Sequence, residues 1–428
     1  MPGSPSYRRR LIDDDLDDLI ESLPAIAIDG PRAVGKTRTA AERARTSYRL
    51  DDPEQLEIAR AAPTRLTEGT PPILIDEWQR LPQAWDLVRR AVDAGAPGGS
   101  FLLAGSALPV PPPTHSGAGR IVRLRMRPLS LAEREPGVAT VSLSALLDGT
   151  GSPIGGETDW GLEAYAHEIL ASGFPGIRAL PERSRRLQLE GYVDRLVERD
   201  LPDDTGVAVR RPAALRRWVT AYAAASSTTA SWETIRDAAT AGESEKPARK
   251  TASGYRDALE HVWLLDDVPA WIPSGNRLRE LGQASKHQLA DPALAATLLG
   301  ARESTLLAGG SSGPPVARDG TLLGALFESL ATLSVRVYAA RSDARVGHLR
   351  TSRGRQEVDL IVERADGDVV AVEVKLAREI RDDDVRHLNW LRSALGDVVR
   401  DRVILTTGTR AYRRGDGVAV VPLILLGP

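Results

Sequence analysis

The segment GPRAVGKT, residues 30 to 37, combines residue types and a spacing that suit the binding of phosphate groups. It fits the pattern G-x-x-x-x-G-K-[ST], in which loop amides and a helix N-terminus surround the phosphates of a nucleotide. Lys36 would reach the β and γ phosphates, and the Thr37 hydroxyl would bind magnesium, so ATP and Mg²⁺ are the expected cofactors. A chance glycine turn is the alternative. The predicted nucleotide-binding residues are Gly30, Pro31, Arg32, Ala33, Val34, Gly35, Lys36, Thr37 and Arg38.

Two acidic residues follow a second buried-strand pattern at a position that suits phosphoryl transfer. The run PILI, residues 72 to 75, delivers Asp76 and Glu77 at its carboxyl end, the edge where open α/β sheets bind ligands. Asp76 would hold the magnesium, usually through water, and Glu77 would polarise the attacking water. Such a pair can also be a solvated strand end, but the phosphate-binding pattern upstream favours the catalytic interpretation.

A third strand pattern, FLLAG at residues 101 to 105, ends at Ser106. Here the chain resembles the AAA+ ATPases, in which a polar side chain at this point senses the γ phosphate, and the resemblance implies that role for Ser106. A plain turn serine is the alternative. Arg120 follows the turn-like GAG of residues 117 to 119 and is a candidate arginine finger that would act in trans.

Charged residues also converge in VDLIVERADGDVVAVEVK, residues 358 to 375. The central dipeptide DG is a good tight-turn pair, so the stretch is predicted to form a hairpin. Glu373 and Lys375 are two residues apart and therefore share one face of the second strand. The turn would bring Asp359 alongside them.

These charges, joined by Glu328 from a preceding helix pattern, would suit phosphodiester hydrolysis. Asp359 and Glu373 would hold magnesium, and the Lys375 ammonium would orient or acidify the attacking water. An amphipathic hairpin with exposed acids is the alternative, because the pattern alone does not distinguish the two.

The phosphate-binding segment must lie between a strand and a helix, and residues 25 to 40 show that order of patterns. Further along, residues 122 to 127 alternate between apolar residues and arginines, which places Arg123, Arg125 and Arg127 on one strand face. This row is either a solvated edge strand, protected by its charge from aggregation, or a contact for nucleic acid or phosphate.

The middle of the chain is predicted to be helical. Residues 159 to 210 are arginine-rich with helical spacing and read as a lid, which in AAA+ proteins closes over the nucleotide. Residues 212 to 271 give three helix patterns and a short strand, which predict a winged helix-turn-helix. Winged helices bind either DNA or proteins, so both partners stay open. The third helix would place in the major groove Arg249, Lys250, Ser253, Tyr255 and Arg256.

Composition narrows the chemistry further. The absence of cysteine excludes disulfides and thiolate metal sites, so any metal is expected to be a hard cation on oxygen ligands. Lys plus Arg (56) nearly balances Asp plus Glu (58), so bulk charge neither demands nor forbids a nucleic-acid partner. The N-terminus lacks the apolar core of a signal peptide, and no run of 18 apolar residues offers a membrane span. A cytoplasmic protein without a membrane partner is expected.

The chain resembles a widespread prokaryotic family of predicted AAA+ ATPases that end in the domain of unknown function 4143. The resemblance covers nearly the whole chain and rests on GPRAVGKT, ILIDE, LLAGS, GRIVRLRMRPLSLAE, KHQLADPALAATLLG and EVDLIVE with VEVKLA, in this order. In that family the C-terminal domain is similar to restriction-endonuclease-like nucleases, and this similarity maps to Glu328, Asp359, Glu373 and Lys375. Such domains also persist as inactive binding modules. The triplet GSA at residues 105 to 107 is poorer in hydroxyls than the serine-rich form common in the family.

The predicted fold is a multidomain α/β protein, because 428 residues are too many for one core. It comprises an AAA+ P-loop parallel sheet (1–158), a helical lid (159–210), a winged helix-turn-helix (211–275) and a restriction-endonuclease-like α/β domain (276–428). The predicted function is ATP hydrolysis with DNA engagement and Mg²⁺-dependent nuclease activity. The alternative is a nucleotide-gated regulatory protein whose nuclease-like domain is inactive. Because AAA+ relatives often form rings, a homo-oligomer is also expected.

Overall fold

The computed structural model shows two large β-sheets, a short two-stranded sheet, and helices that pack between them. Of the predicted DNA-contacting residues, Arg249 and Lys250 have side chains that lie outside the described part. The residues that the structure describes are 7–109, 116–149, 151, 153–201, 211–240, 249–273, 284–309, 320–351 and 354–428.

The first sheet is parallel throughout. Its strands are β1 (Ala25–Asp29), β2 (Thr46–Arg49), β3 (Ile73–Asp76), β4 (Phe101–Gly105) and β5 (Val122–Arg125). They follow the order β2-β3-β4-β1-β5. The three central strands are buried along their whole length, as expected where helices cover both faces of a parallel sheet. The predicted parallel α/β core is thus confirmed, and β4 lies directly beside the strand that carries the two acids.

Six helices belong to this first part of the chain. They are α1 (Leu11–Leu19), α2 (Lys36–Ala41), α3 (Pro53–Ala61), α4 (Gln83–Asp93), α5 (Leu131–Arg134) and α6 (Leu143–Asp148). Two of these helices start with a side-chain cap: the Asp52 side chain accepts from the Glu54 amide at the start of α3, and the Ser142 side chain accepts from the Ala145 amide at the start of α6.

The middle of the chain is helical, as predicted. Its helices are α7 (Leu162–Ala171), α8 (Pro175–Arg178), α9 (Glu182–Arg195), α10 (Pro212–Ala224), α11 (Trp232–Ala239), α12 (Arg249–His261), α13 (Pro292–Leu298) and α14 (Glu303–Leu307). Two antiparallel bridges follow α12, and they join Leu265 to Leu289 and Val268 to Lys286. Lys286 and Leu289 lie beyond the predicted domain boundary at residue 275, yet they pair with the β segment that follows α12.

The C-terminal part contains a mixed six-stranded sheet. Its elements are α15 (Leu322–Arg341), β7 (Arg345–Arg350), β8 (Glu357–Glu363), β9 (Val369–Lys375), α16 (Arg386–Leu395), β10 (Val399–Thr406), β11 (Tyr412–Arg413) and β12 (Ala419–Pro422). The strand order is β11-β12-β10-β9-β8-β7. β8 and β9 are antiparallel and turn at Gly367, whose φ of +88° favours glycine, so the predicted hairpin is confirmed.

Helix α15 runs through the core. By length and composition it is the one helix among the described residues that could cross a membrane, but 78% of its apolar stretch is buried inside the protein. Mostly buried helices of this length and composition also occur in the cores of proteins that have no membrane span. The absence of a membrane partner stays a prediction.

The first part of the chain is joined to its C-terminal residues by a short sheet. The short strand β6 (Val141–Ser142) pairs with β13 (Leu426–Gly427), and the Ser142 hydroxyl donates to the Pro428 carbonyl at 2.7 Å. One hydrophobic cluster extends from α1 to β13. The predicted domain boundaries stay predictions, and those at 210 and 275 lie outside the described residues.

The arginines of β5 and the residues after it face other parts of the protein. The Arg125 guanidinium lies 3.8 Å from the centre of the Trp263 ring, and Arg123 Nε donates to Asp29 Oδ2 at 2.6 Å. The prediction of a solvated row or a nucleic-acid contact is therefore wrong for Arg125 and Arg127, because the segment after α12 covers them. Strand alternation reports which face a side chain occupies, and it cannot report what packs on that face.

A single carboxylate in that covering segment gathers three arginines, which we call the Asp266 cluster. Arg127 Nε donates to Asp266 Oδ2 at 2.7 Å, while Arg336 Nη2 and Arg125 Nη2 lie 3.2 Å and 3.8 Å from Oδ1. Although burial opposes the negative charge, Arg127 and Arg336 hold the pKa of Asp266 well below its usual range. The cluster joins the first sheet, the middle segment and helix α15.

We expect Asp266→Ala to lower the free energy of unfolding by about 3 kcal/mol, because three arginines lose their common carboxylate inside the protein. Urea unfolding followed by circular dichroism would measure the change. Asp397→Ala is the matched control: that carboxylate pairs with Arg392 but is 94% exposed, so its removal should leave the midpoint unchanged. Equal midpoints for both variants would contradict the role of the cluster.

Candidate functional site

The loop between β1 and α2 is shaped by close packing against the end of β5. A Cβ on Gly30 would lie 2.1 Å from the Met126 carbonyl oxygen, so only glycine fits there. Gly35, at the N-terminus of α2, has a φ of +106°, which favours glycine, and Ala33 also has a positive φ of +65°. The loop therefore has the strand, tight turn and helix start that the sequence pattern requires.

Lys36 is folded into this loop. Its Nζ donates to the carbonyl oxygens of Gly30 and Pro31, both at 2.8 Å. Burial lowers the pKa of Lys36 to about 8, and the carboxylates of Glu77 and Asp76 only partly oppose that shift. The ammonium thus lies at the carboxyl edge of the sheet, close to both predicted acids.

Thr37 and Asp76 are brought together across the sheet edge. The Thr37 hydroxyl donates to Asp76 Oδ1 at 2.9 Å. Burial raises the pKa of Asp76 to about 6, and the adjacent Glu77 carboxylate adds to the shift while the bond from Thr37 opposes it. A hydroxyl beside a carboxylate that is destabilised as an anion is a donor set that suits Mg²⁺, so these residues fit the expected ion.

Glu77 is held in place by two polar neighbours. Ser106 Oγ donates to Glu77 Oε2 at 2.8 Å, and the amide of Gln79 donates to the same carboxylate oxygen and, at 3.2 Å, to Ser106 Oγ. Glu77 itself has a φ of +53°, at the turn into the short 3₁₀ helix Trp78–Arg80. The predicted partners Glu77 and Ser106 are therefore in direct contact.

Gln79 was not predicted. The sequence places it two residues after Glu77, but only the short helix that follows β3 turns its side chain back toward the acid. A glutamine after an acidic strand end is common, so no signal in the sequence marks it.

Two predicted residues lie away from this group. The Arg38 side chain pairs with Glu42 one helical turn later, at 3.1 Å, on an exposed face of α2. Arg120 precedes β5, so it lies at the amino edge of the sheet, opposite the phosphate-binding loop, where its Nε donates to Asp93 at 2.9 Å. Arg120 is thus remote from the loop of its own chain, and a role in trans stays a prediction.

The C-terminal charges also converge as predicted. Lys375 Nζ donates to Glu373 Oε1 at 3.1 Å. The Asp359 amide donates to Glu373 Oε2 at 3.3 Å, and the Val374 amide donates to Asp359 Oδ2 at 2.9 Å. Asp359 and Glu373 are both buried, so the hairpin places two carboxylates next to each other inside the protein.

A second lysine, which was not predicted as a site residue, lies among these carboxylates. Lys286 Nζ donates to Glu328 Oε1 at 2.8 Å and to Asp359 Oδ1 at 3.0 Å, and it lies 3.8 Å from Glu357 Oε1. We call Lys286, Glu328, Glu357 and Asp359 the Lys286 cluster. Although burial opposes the positive charge, Asp359 and Glu328 raise the pKa of Lys286.

The arrangement in the hairpin is that of ion pairs and does not fit a metal centre. Within the described ranges, no group of three or more histidine or acidic residues is placed to hold a metal ion. Burial, and then repulsion by Asp359, raises the pKa of Glu373, whereas Lys286 lowers the pKa of Asp359 despite its burial. Asp359 and Glu373, the predicted metal ligands, are therefore neighbours that each contact a lysine, Lys286 and Lys375 respectively.

Lys286 belongs to KHQLADPALAATLLG, a segment that the sequence comparison with the family singled out without assigning it a role. Its partners are 42 and 73 residues away in the chain. No periodicity or local spacing could connect it to them.

Three domain families match the chain. An AAA domain matches residues 22–135, the domain of unknown function DUF8612 matches residues 162–305, and DUF4143 matches residues 323–426. The DUF8612 range contains α7 to α13, the first residues of α14, and Lys286, and the DUF4143 range contains Glu328, Asp359 and Glu373. No curated protein matches the sequence.

Several solved structures share low similarity with the chain. The Walker-type ATPase PabY2304 of Pyrococcus abyssi is 16% identical, covers 68% of this chain and 96% of its own, and has a TM-score of 0.39. The ORC1 protein of Aeropyrum pernix, solved in complex with DNA, is 13% identical with 71% and 95% coverage and a TM-score of 0.26. ORC2 of Aeropyrum pernix is 13% identical with 71% and 96% coverage and a TM-score of 0.30.

The AAA match, together with the loop, lysine, hydroxyl and acids described above, supports ATP binding and hydrolysis. The first part of the chain is thus similar to AAA-type P-loop ATPase domains, and the C-terminal part is similar to the DUF4143 domain.

Proposed function

We propose that this protein hydrolyses ATP and uses the nucleotide to change how its middle and C-terminal parts hold DNA. The observation that carries the proposal is the contact between Thr37 and Asp76 at the P-loop, with Glu77 held next to it. The loop amides of residues 30 to 37 would bind the phosphates, and the Lys36 ammonium would leave its two carbonyl partners for the β and γ phosphates. A cytoplasmic location accords with this role.

Glu77 would act as the base that polarises the attacking water. Ser106 and Gln79 share its Oε2, so they set the position of the carboxylate and keep it from rotating freely. Magnesium, held by Thr37 and Asp76, would neutralise charge on the phosphates. Because phosphoryl transfer depends on positioning and electrostatics, the hydrogen bonds to Glu77 matter as much as the acid itself.

The P-loop is connected to the rest of the protein on two sides. The Met126 amide donates to the Asp29 carbonyl at 2.7 Å, and the residue that follows, Arg127, belongs to the Asp266 cluster. On the other side, the Tyr192 hydroxyl of α9 donates to the Arg32 carbonyl at 3.4 Å. We infer that α7 to α9 form the lid and that a change in loop conformation reaches the middle part through these two contacts.

DNA is the partner that we propose for the middle part. Helices α10, α11 and α12, followed by the antiparallel bridges between residues 265–268 and 286–289, have the order of elements of a winged helix. Thr251 and Ser253 are exposed on α12, whereas Arg256 lies 5.2 Å from the Trp232 ring, which holds this side chain against α11. The first turns of α12, where these two hydroxyls are exposed, are the part of the helix that would enter a groove.

The Lys286 cluster favours a second candidate for the C-terminal part. Its three carboxylates surround one ammonium group, so the domain would bind DNA or a protein partner without cleaving it. In this version the protein is a nucleotide-gated regulator. A homo-oligomer would be needed if Arg120 is to act on a neighbouring subunit, because it lies far from its own P-loop.

We expect Lys36→Ala to abolish ATP binding, because the loop loses the charge that neutralises the phosphates. Glu77→Gln should retain binding and lose turnover, because the amide cannot polarise water. Phosphate release and binding of a fluorescent ATP analogue would separate the two effects. Turnover by Lys36→Ala at the wild-type rate would overturn the assignment.

Gly105→Ala should lower turnover roughly ten- to a hundredfold with nucleotide affinity preserved, since small misplacements of a catalytic group have effects of this size. The added Cβ would lie 2.6 Å from Trp78 Nε1 and 3.1 Å from Gln79 Oε1, so it would displace the residue that holds Glu77. Gly176→Ala is the matched control, because a Cβ there meets nothing within 4 Å. Steady-state kinetics would compare them, and equal rates would exclude a role for Gln79.

We expect Thr251→Glu with Ser253→Glu to weaken duplex DNA binding about tenfold at physiological salt, because two negative charges would face the phosphates. Fluorescence anisotropy with a labelled duplex would measure the affinity. Ser304→Glu, on the exposed face of α14, adds negative charge elsewhere and should leave the affinity unchanged. If the α12 variant binds as the wild type does, α12 is not the DNA-binding surface, whereas its ATP turnover would be unaffected in either case.

A further inference from the structure

Lys286 is a cation of the middle part of the chain, and it is buried among acidic side chains of the C-terminal part. Its side chain is 1% exposed. Glu328 approaches from α15, Asp359 and Glu357 approach from β8, and the backbone of Lys286 itself is paired with Val268 in the middle part. The ammonium therefore belongs to the middle part of the chain, whereas the carboxylates belong to the C-terminal part.

The position of Nζ is one that a bound cation would otherwise take. It contacts one oxygen of Glu328 and one of Asp359 at 2.8 Å and 3.0 Å, distances that are normal for charge-assisted hydrogen bonds. A divalent ion bridging the same two acids would need these oxygens and the space between them. Because the ammonium already carries a positive charge there, an added cation would meet both steric exclusion and repulsion.

The segment that carries Lys286 is anchored by the residues that follow the lysine. The next residue, His287, has its amide bonded to the Thr228 carbonyl at 2.9 Å and its Nε2 within 2.8 Å of the Ala230 carbonyl. Asp291, at the start of α13, accepts from the Gly173 amide at 2.5 Å and from the Ser172 hydroxyl at 3.1 Å. The backbone at Lys286 cannot withdraw from the cluster without loosening these contacts to the residues after α7 and to those between α10 and α11.

We propose that the Lys286 ammonium occupies the cation position of this carboxylate cluster and excludes divalent metal ions from it. The same contacts hold the middle part of the chain against the C-terminal sheet. The domain would gain a metal site only if the segment of residues 284–291 were removed or withdrawn. The contact of Lys286 with these carboxylates would therefore inhibit any metal-dependent reaction of the DUF4143 domain. This inference deepens the second candidate function above and is independent of ATP hydrolysis.

The test is Mn²⁺ binding by the nucleotide-free full-length protein, measured by electron paramagnetic resonance of the free ion. Wild type should show no site that depends on Asp359, so wild type and Asp359→Asn should bind Mn²⁺ alike. Lys286→Met should gain one site with a dissociation constant on the order of 0.1 mM, as in weak oxygen-ligand sites. Lys286→Met combined with Asp359→Asn should lose that site.

Lys375→Met is the matched control, because it removes a lysine from the neighbouring Glu373 and leaves Lys286 in place. It should gain no site. ATP turnover reports whether each variant is folded. A wild-type site that Asp359→Asn removes would overturn the proposal even if Lys286→Met does not fold, and a folded Lys286→Met protein without a new site would overturn it as well.

Discussion

Buried ion pairs join the parts of this chain at several places, and the fold depends on their being complete. Asp266 connects the first sheet to the middle segment and α15, and Lys286 connects the middle segment to the C-terminal sheet. Removing one partner of such a pair leaves a charge without compensation inside the protein, which costs about 3–5 kcal/mol. The geometry of the junctions is therefore more constrained than hydrophobic contact alone would require.

The two groups of acids in the protein differ in what lies beside a buried carboxylate. At the P-loop, Asp76 is buried beside a neutral hydroxyl, and its raised pKa shows that its charge is not compensated. In the C-terminal part, Asp359 is buried beside ammonium groups, and its pKa is lowered. The first arrangement is prepared for a cation from solution, whereas the second already contains one. This contrast favours ATP hydrolysis over metal-dependent DNA cleavage as the activity of this chain.

Local patterns were sufficient for the ATPase part of the prediction. The P-loop, the acids after β3 and the position of Ser106 beside them follow from short motifs and from the rule that parallel strands end at one edge. The hairpin followed from a DG turn and alternating residues. Patterns of this kind act over a few residues, and the structure agrees with them.

Long-range partners could not be predicted in the same way. Arg125 stacks on Trp263, and Lys286 meets Asp359, at separations of more than 70 residues. The sequence shows that these side chains are charged and on which face of a strand they lie, but it does not show which surface covers them. The pairing of β6 with β13 is missed for the same reason, since both strands are two residues long.

The difference in strength among these contacts indicates which part of the protein moves with the nucleotide. Helix α9 touches the P-loop through a bond of 3.4 Å from Tyr192 to the Arg32 carbonyl, and a neutral hydrogen bond of this kind contributes about 1 kcal/mol or less. The Asp266 and Lys286 clusters cost several times more to open. We therefore infer that the middle and C-terminal parts stay joined to β5 when the nucleotide changes, and that the contact between α9 and the P-loop opens first.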